Sequence, residues 1–342
     1  MARGLLSGEP KPDKVCNLLE TLDANKLKRI LMEVLSPRDD RTVRPAISII
    51  VCSGERVREL QRLLMSIRTQ TYRSFEVILV DQYPDSRIVS LVERFSEHFR
   101  LVHVRSAPGV SRGRNVGLAH CEGDVVAIPD DDCWYGPEVL ERITHTFVAR
   151  PDAGFIVARW WDPSGRDGFP GRAHVARRVG AREIWVRALS FTIFLRRHLI
   201  ECVGEFDERL SFGSETDYLL RAAEAGVTGW YDPRSIVRHP RVRRSRAHSR
   251  AFSYGRGMGF VMRKHRPGVV DTLTLLGRPL AATVYSLARL KWAHAWFHLL
   301  VFAGRSIGRL GIERRRAISS STTRYLGCAR LRRLLGGRLA QR

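Results

Sequence analysis

The sequence lacks three features that would each assign it to a class of proteins. Its six cysteines form no CxxC pair and show no metal-ligand spacing, so they are predicted to be reduced thiols of a cytoplasmic protein. The most apolar stretch is interrupted by Arg289 and Lys291, which leaves too few residues for a membrane-spanning helix of about twenty. Residues 1–14 lack the apolar centre of a secretory signal, so export is not predicted.

Acidic side chains are nearly absent from the last third of the chain. Residues 240–342 hold 23 Lys and Arg but only Asp271 and Glu313, a net charge of +21 against +2 for all preceding residues. A basic tail can bind nucleic acid, an anionic membrane or nothing in particular. The aromatic and aliphatic residues around 280–302 favour an in-plane helix at an anionic membrane surface, with a helix docked on the core as the alternative. We expect no nucleic-acid partner.

Changes in the hydrophobic pattern divide the chain into three segments. Residues 1–45 are predicted to be an N-terminal helical extension, with a helix over residues 23–35. Over residues 46–240, Val- and Ile-rich runs alternate with amphipathic helices, which predicts an α/β domain with a mostly parallel sheet and helices on both faces. Residues 241–342 are predicted to be a basic, apolar helical tail.

Four aspartates follow the predicted strands of the α/β domain. Asp81 ends the second strand, and Asp130, Asp131 and Asp132 end the fourth. Ligands of parallel sheets bind beyond the carboxyl ends of the strands, so these side chains are expected to face one crevice. Clustered carboxylates suit hard divalent cations such as Mg²⁺ or Mn²⁺, which leave coordination positions for phosphates. A solvated acidic turn, and for Asp81 a strand-end cap, are the alternatives.

Four segments together resemble the family 2 glycosyltransferases, enzymes of the GT-A fold that transfer a sugar from a nucleotide diphosphate to an acceptor. They lie within residues 45–265 and read, in order, AISIIVCSGERVRELQRLLMSIRTQTYRSFEVILVD, SRGRNVGLAHCEGDVVAIPDDD, VGEFDERLSFGSETDYLLRAAEAG and YDPRSIVRHP. The resemblance implies a Rossmann-like, nucleotide-diphospho-sugar transferase fold with a helical C-terminal extension. It extends to bacterial enzymes that build exopolysaccharide and other cell-surface glycans.

The resemblance also implies roles for individual residues. Residues on the nucleotide-sugar side are Asp81, Arg114, Asn115, Asp130 and Asp131. Metal ligands are Asp130, Asp132 and His239, for Mn²⁺ or Mg²⁺. Two alternatives stay open, because Arg114 could simply pair with the aspartates and His239 could be structural.

The catalytic base is expected in the segment FGSETDYLLR. The resemblance aligns Glu215 with the usual catalytic aspartate and Asp217 with the second acid of the pattern. On a helix, residues two apart diverge by roughly 200°, so only one of them can face the acceptor. Glu215 is the preferred base, which leaves Asp217 to cap the helix or pair with Arg221.

The resulting hypothesis is an inverting, hexosyltransferase-type enzyme at the cytoplasmic face of the cell membrane. Its expected partners are a nucleotide-diphosphate sugar, a glycan or lipid-linked acceptor and an anionic membrane. Two other classes compete with it. A nucleotidyltransferase would carry a Gly-rich phosphate loop after the first strand, and VCSGERVREL lacks that pattern. A catalytically silent protein that binds a membrane or nucleic acid through its basic tail is the main alternative.

Overall fold

The computed structural model describes residues 46–311, apart from 168–173, 188–189 and 241–243. All of these residues belong to a unit that begins at Arg44. The predicted N-terminal extension, residues 1–45, and the last part of the predicted tail, residues 312–342, lie outside the described residues. The boundaries drawn from the sequence therefore stay predictions.

Strands and helices alternate through the first half of the described chain, as the sequence predicted. The elements up to residue 162 are β1 (Ile47–Ser53), α1 (Val57–Arg68), β2 (Phe75–Asp81), α2 (Val89–Ser96), β3 (Arg100–Arg105), α3 (Val110–Leu118), β4 (Val125–Ala127), β5 (Trp134–Tyr135), α4 (Val139–Ala149) and β6 (Ala153–Asp162).

The second half contains shorter strands and ends in three long helices. Its elements are β7 (Arg166–Asp167), β8 (Arg177–Val179), α5 (Ala181–Arg187), a 3₁₀ turn (Ser190–Thr192), β9 (Ile193–Arg196), α6 (His198–Val203), α7 (Ser214–Glu224), β10 (Thr228–Arg238), α8 (Arg244–His265), α9 (Val269–Ala288) and α10 (Trp292–Leu310).

The ten strands form one sheet in the order β3-β2-β1-β4-β9-β6-β10-β5, with β7 beside β6 and β8 beside β10. The four strands from β3 to β4 are parallel, and so is the pair β6 and β10. The exception in the centre is β9, which lies antiparallel between β4 and β6. The sheet is thus of the mostly parallel kind that the sequence predicted.

Both faces of the sheet are buried. Neighbouring residues of β1 point to opposite sides, so Ile49 and Val51 join one apolar cluster while Ile50 joins the other. The first cluster includes apolar residues of α1, α2 and α4, and the second includes residues of α3, α6, α7 and α8. Burial on both faces explains why the strands read as continuous Val and Ile runs rather than as alternating patterns.

Helices α8 and α10 pack on each other through glycines. A Cβ atom on Gly255 or Gly259 of α8 would lie 2.3 Å from the carbonyl oxygen of Val301 or Arg305 in α10. Gly304 and Gly308 of α10 approach α8 equally closely. The two backbones are therefore in direct contact.

None of the helices in the described ranges is both long and apolar enough to cross a membrane.

Candidate active site

The strand order brings the four predicted aspartates to one edge of the sheet. β2 and β4 lie on either side of β1, and Cys52 of β1 forms a bridge with Asp130. Ser53, opposite Asp81 at the end of β1, donates a hydrogen bond to Oδ2 of Asp131 at 2.7 Å. The same hydroxyl lies 3.0 Å from Oη of Tyr83, which follows β2. The end of β1 thus connects Asp81 to the three consecutive aspartates.

Antiparallel pairing between β5 and β10 brings His239 to the aspartates. Trp134 is opposite Arg238, so Asp132, two residues before Trp134, meets His239, the first residue after β10. Nε2 of His239 lies 3.0 Å from Oδ1 of Asp132. The ring is held by Phe191, which stacks on it with the centroids 4.3 Å apart. The imidazole therefore has a fixed orientation towards the carboxylate.

Asp130, Asp132 and His239 form a group that fits a divalent cation. One ligand atom from each lies within 4.8 Å of the others. Two carboxylate oxygens and an imidazole nitrogen suit Mn²⁺ or Mg²⁺ and leave coordination positions for phosphate oxygens. Among the residues that the structure describes, no other group of three or more His, Cys, Asp or Glu side chains has its ligand atoms this close together. It consists of the three residues that the sequence proposed as ligands.

The ion pair in this group controls the protonation of both its members. Burial alone would raise the pKa of Asp132 and lower that of His239, but their mutual contact outweighs burial. The pKa of Asp132 is lowered and the pKa of His239 is raised as a result. A cation binds the neutral imidazole, so loading the site requires His239 to be deprotonated.

Arg56, just before α1, is a member of the site that the sequence analysis missed. Its guanidinium contacts Oδ1 of Asp131 and Oδ2 of Asp132. Burial raises the pKa of Asp131 to about 6, although Arg56 and Ser53 act to lower it. Nothing in the local pattern distinguishes Arg56 among 58 basic side chains, because its role depends on the meeting of β1 and β4.

Arg114 connects the aspartates to α7. Its side chain is buried, with Nη2 3.6 Å from Oδ1 of Asp130 and Nη1 3.7 Å from Oε2 of Glu215. Nη1 also donates a hydrogen bond to Oγ of Ser214 at 2.9 Å. Glycine allows this approach, since a Cβ atom on Gly117 of α3 would lie 2.3 Å from a methyl carbon of Ile50. Helix α3 therefore rests directly on β1 and directs Arg114 into the crevice.

Glu215 and Asp217 point to different surroundings, as their helical spacing predicted. Asp217 is fully buried, with Nε of Arg221 at 3.0 Å, Nζ of Lys264 at 2.7 Å and Nε2 of His265 at 2.8 Å. Burial acts to raise the pKa of Asp217, but these cations lower it. Glu215 is partly exposed, and burial raises its pKa although Arg114 opposes the shift. Only Glu215 faces the crevice.

Asp81 and Asn115 are both engaged within the protein. Asp81 is buried, accepts a hydrogen bond from the backbone N–H of Tyr83 at 2.9 Å and lies 3.1 Å from Nε2 of His103. The amide of Asn115 accepts from the N–H of Phe206 and donates to its carbonyl oxygen. Asn115 thus fixes the loop before α7. Contacts of either residue with a nucleotide sugar stay predictions.

Comparison with known proteins relates the first part of the sheet domain to a family. Residues 48–201, from β1 to α6, match the profile of glycosyl transferase family 2. Residues 48–201 carry the sequence pattern of glycosyltransferase family 2. The match includes Asp81, Arg114 and all three consecutive aspartates, whereas Glu215 and His239 lie beyond it. The sequence-based assignment to this family is confirmed.

The curated relatives that match this chain are only distantly similar to it. An uncharacterized glycosyltransferase of Haemophilus influenzae is 34% identical over 110 residues, which cover 32% of this chain and 37% of the relative. Glycosyltransferase AglE of Haloferax volcanii is 22% identical over 231 residues, 62% of this chain and 73% of AglE. The chain therefore spans little more than a third of the first relative's length and about three quarters of the second's.

A solved structure supports the fold. The mannosyltransferase PcManGT of Pyrobaculum calidifontis, solved with GDP-Man and Mn²⁺, superimposes with a TM-score of 0.60 at 18% identity. The superposition covers 84% of this chain and 94% of PcManGT. Because the identity is low, the likeness establishes the GT-A fold and nothing finer.

Proposed function

We propose that this glycosyltransferase moves a sugar from a nucleotide-diphosphate sugar to an acceptor hydroxyl, with inversion at the anomeric carbon. The observation that carries the proposal is the position of Arg114, which contacts both Asp130 and Glu215 within 3.7 Å. The candidate metal ligands and the candidate base therefore face one crevice. A displacement reaction needs this arrangement, with the leaving group on one side of the sugar and the acceptor on the other.

The metal group would bind the diphosphate of the donor. Asp130, Asp132 and His239 would hold Mn²⁺ or Mg²⁺, and PcManGT, with the same fold, was solved with Mn²⁺ and a nucleotide sugar. When bound, the cation neutralises the charge that develops on the departing diphosphate. Asp81, Asp131 and Arg114 lie at the same edge of the sheet and would contact the nucleotide or sugar.

Glu215 would act as the general base that accepts the proton of the acceptor hydroxyl. Its raised pKa brings the carboxylate closer to working pH, which makes it a better proton acceptor. Arg114 and Ser214 would hold it in place. Asp217 is fully buried and paired with three cationic side chains, so it would stabilise the fold instead.

The C-terminal helices support a further part of the proposal, contact with an anionic membrane carrying a lipid-linked or cell-surface glycan acceptor. Large apolar side chains are exposed along α9 and the first half of α10. They are Val269, Val270, Leu273, Leu280, Val284, Tyr285, Leu287, Trp292, Trp296 and Leu299. Between residues 244 and 311 the chain has twelve Lys and Arg and one acid, Asp271. An apolar face bordered by basic residues fits a peripheral site on the cytoplasmic leaflet.

Donor binding tests the proposal directly. We would titrate the full chain with UDP-, GDP- and dTDP-sugars by calorimetry, with and without Mn²⁺, and repeat the titration with Asp132→Ala. The expected result is metal-dependent binding of one donor class, lost in the variant. Asp152→Ala, which changes an exposed aspartate paired with Arg178, is the matched control and should bind like the wild type. If no donor binds the wild type, the catalytically silent alternative replaces the proposal.

A further inference from the structure

Helix α8 crosses the opening of the candidate active site. Arg250, Tyr254, Gly257 and Val261 recur at helical spacing and therefore share one face of α8. At one end of this face, Nη2 of Arg250 lies 3.8 Å from Oε2 of Glu55, beside Arg56. At the other end, Val261 is fully buried beneath the loop that leads to α7. Tyr254 lies between these two anchors, over the crevice.

The contact between α8 and the loop before α7 is made by glycine. A Cβ atom on Gly257 would lie 2.3 Å from the carbonyl oxygen of Phe212. Gly213, next in the chain, has a φ of +79°, a conformation that favours glycine. Close backbone contact thus fixes α8 relative to Phe212, which is three residues before Glu215.

Tyr254 and Phe212 form a stacked aromatic pair at this contact. Their ring centroids are 4.4 Å apart, and the planes are inclined by 27°. A second stacked pair, Phe206 and Tyr218, is buried in the core, whereas Tyr254 is 53% exposed. Packing of the core therefore does not explain Tyr254, because more than half of the residue's surface is exposed.

Electrostatics relate the tyrosine to the reacting groups. Burial of the hydroxyl and the negative charges of Glu215, Asp130 and Asp132 raise the pKa of Tyr254 to about 12. The hydroxyl of Tyr254 therefore stays neutral at working pH. A neutral aromatic ring offers an apolar face together with a hydroxyl that can hydrogen-bond.

We propose that Tyr254, supported by Phe212, is a stacking platform for a sugar ring of a carbohydrate acceptor, beside Glu215. This inference rests on the proposed function and specifies its acceptor as a glycan whose ring is recognised by stacking. The C–H face of a pyranose would pack on the exposed ring, and an acceptor hydroxyl would then reach Glu215. The donor would bind beneath, at the aspartates, without contact with Tyr254.

Binding of simple glycosides and of donors separates the platform from the rest of the site. The probes are methyl glycosides of glucose, galactose, mannose and N-acetylglucosamine. Their binding to the full chain is measured by saturation-transfer NMR with Mn²⁺ present. Tyr254→Ala should weaken the binding of the best glycoside about tenfold, as expected for loss of one aromatic stacking contact. Tyr254→Phe should keep it within about twofold, because the ring carries the contact.

Two controls make the result specific. Tyr285→Ala removes a similarly exposed tyrosine from α9 and should leave glycoside binding unchanged. Donor affinity, measured by calorimetry, should be unchanged in all three variants. The platform is wrong if the wild type binds no glycoside, if Tyr254→Ala binds as well as the wild type, or if Tyr254→Phe loses as much as Tyr254→Ala. Absence of donor binding to the wild type would instead refute the proposed function.

Discussion

At the scale of single residues, surroundings rather than residue type distinguish the two acids of α7. Glu215 and Asp217 both lie in the first turn, where the helix dipole favours negative charge. Asp217 has three cationic partners and is fully buried, whereas Glu215 has Arg114 and an open side towards the crevice. The first arrangement stabilises a charge permanently, and the second leaves a carboxylate that can accept a proton.

This contrast predicts different effects of two conservative substitutions. Glu215→Gln should reduce the turnover rate by about 10²- to 10⁴-fold, the usual contribution of a general base, with donor affinity unchanged. Asp217→Asn should leave Lys264, His265 and Arg221 without their shared carboxylate and lower the free energy of unfolding by about 3 kcal/mol. For both variants, turnover assays would measure the rate, calorimetry the donor affinity and urea denaturation the free energy of unfolding. Equal loss of turnover in two well-folded variants would contradict the assignment.

His265 predicts how stability depends on pH. Burial would lower the pKa of its imidazole, but contacts with Asp217 and Glu224 raise it above the usual value. A group with a raised pKa in the folded state stabilises the fold fully below its unfolded pKa, about 6.5. That contribution disappears as the pH rises through the folded pKa. The free energy of unfolding should therefore fall between pH 6 and pH 9. The fall should be larger in the wild type than in a His265→Gln variant.

Urea denaturation at a series of pH values would measure the difference between the two proteins. The expected difference is largest at pH 6 and smallest at pH 9. A constant difference across this range would show that His265 acts by packing against Trp185, its ring neighbour at 6.3 Å, rather than by its charge.

At the scale of elements, the glycines of α8 and α10 determine how closely the two helices pack. Gly259→Leu places a side chain where its Cβ atom would lie 2.3 Å from the carbonyl oxygen of Arg305, so the helices must separate. We expect a loss of about 1–3 kcal/mol in the free energy of unfolding. Gly277→Ala in α9 is the matched control, since no atom lies within 4 Å of the added methyl.

The control should change stability in the opposite direction. Alanine in an exposed helix interior is favoured over glycine by about 0.5–1 kcal/mol, so Gly277→Ala should raise the thermal midpoint. Circular dichroism during heating would measure both variants. If both variants changed the thermal midpoint in the same direction and by the same amount, close contact between the helix backbones would not be the reason for glycine at position 259.

The elements also show what could be read from the sequence. β1 to β4 and α1 to α3 follow directly from Val and Ile runs alternating with amphipathic segments, because burial on both faces requires such runs. β9, with four residues, has no such signal. Its position between β4 and β6 depends on pairing with residues about 40 to 70 positions earlier. Asp81 and the three consecutive aspartates were predictable, since strand ends define one edge.

Arg56 and the stacked pair of Tyr254 and Phe212 were not predictable as site residues. Each acquires its position from contacts between distant segments: α1 with the end of β4, and α8 with the loop before α7. A single arginine in a basic chain, or a tyrosine in a helix, is compatible with many other positions. The group of Asp132 and His239 was predicted through the family resemblance, since local spacing does not relate residues so far apart.

At the scale of the whole molecule, the exposed apolar residues of α9 and α10 predict binding to anionic vesicles. The protein should sediment with phosphatidylglycerol vesicles, and less with phosphatidylcholine or at high salt, because the basic residues contribute electrostatic attraction. Trp292→Ala with Trp296→Ala should reduce partitioning by roughly tenfold or more, since each buried aromatic contributes about 1.5–3 kcal/mol.

Val148→Ser is the control for this measurement. It removes an apolar side chain that is 76% exposed on α4, away from the basic helices in sequence, and should leave partitioning unchanged. If the double variant partitions like the wild type, the apolar face serves a different partner. If the wild type does not bind anionic vesicles, the membrane proposal is wrong.

The pairing of β5 with β10 has a consequence for the order in which the enzyme is made. Trp134 can pair with Arg238 only after Arg238 has been translated, about one hundred residues later. During synthesis the nascent chain therefore presents its three consecutive aspartates long before His239 emerges from the ribosome. A partly translated chain has an incomplete set of the proposed ligands, so the proposed binding of a metal and a donor would begin only once β10 has joined the sheet.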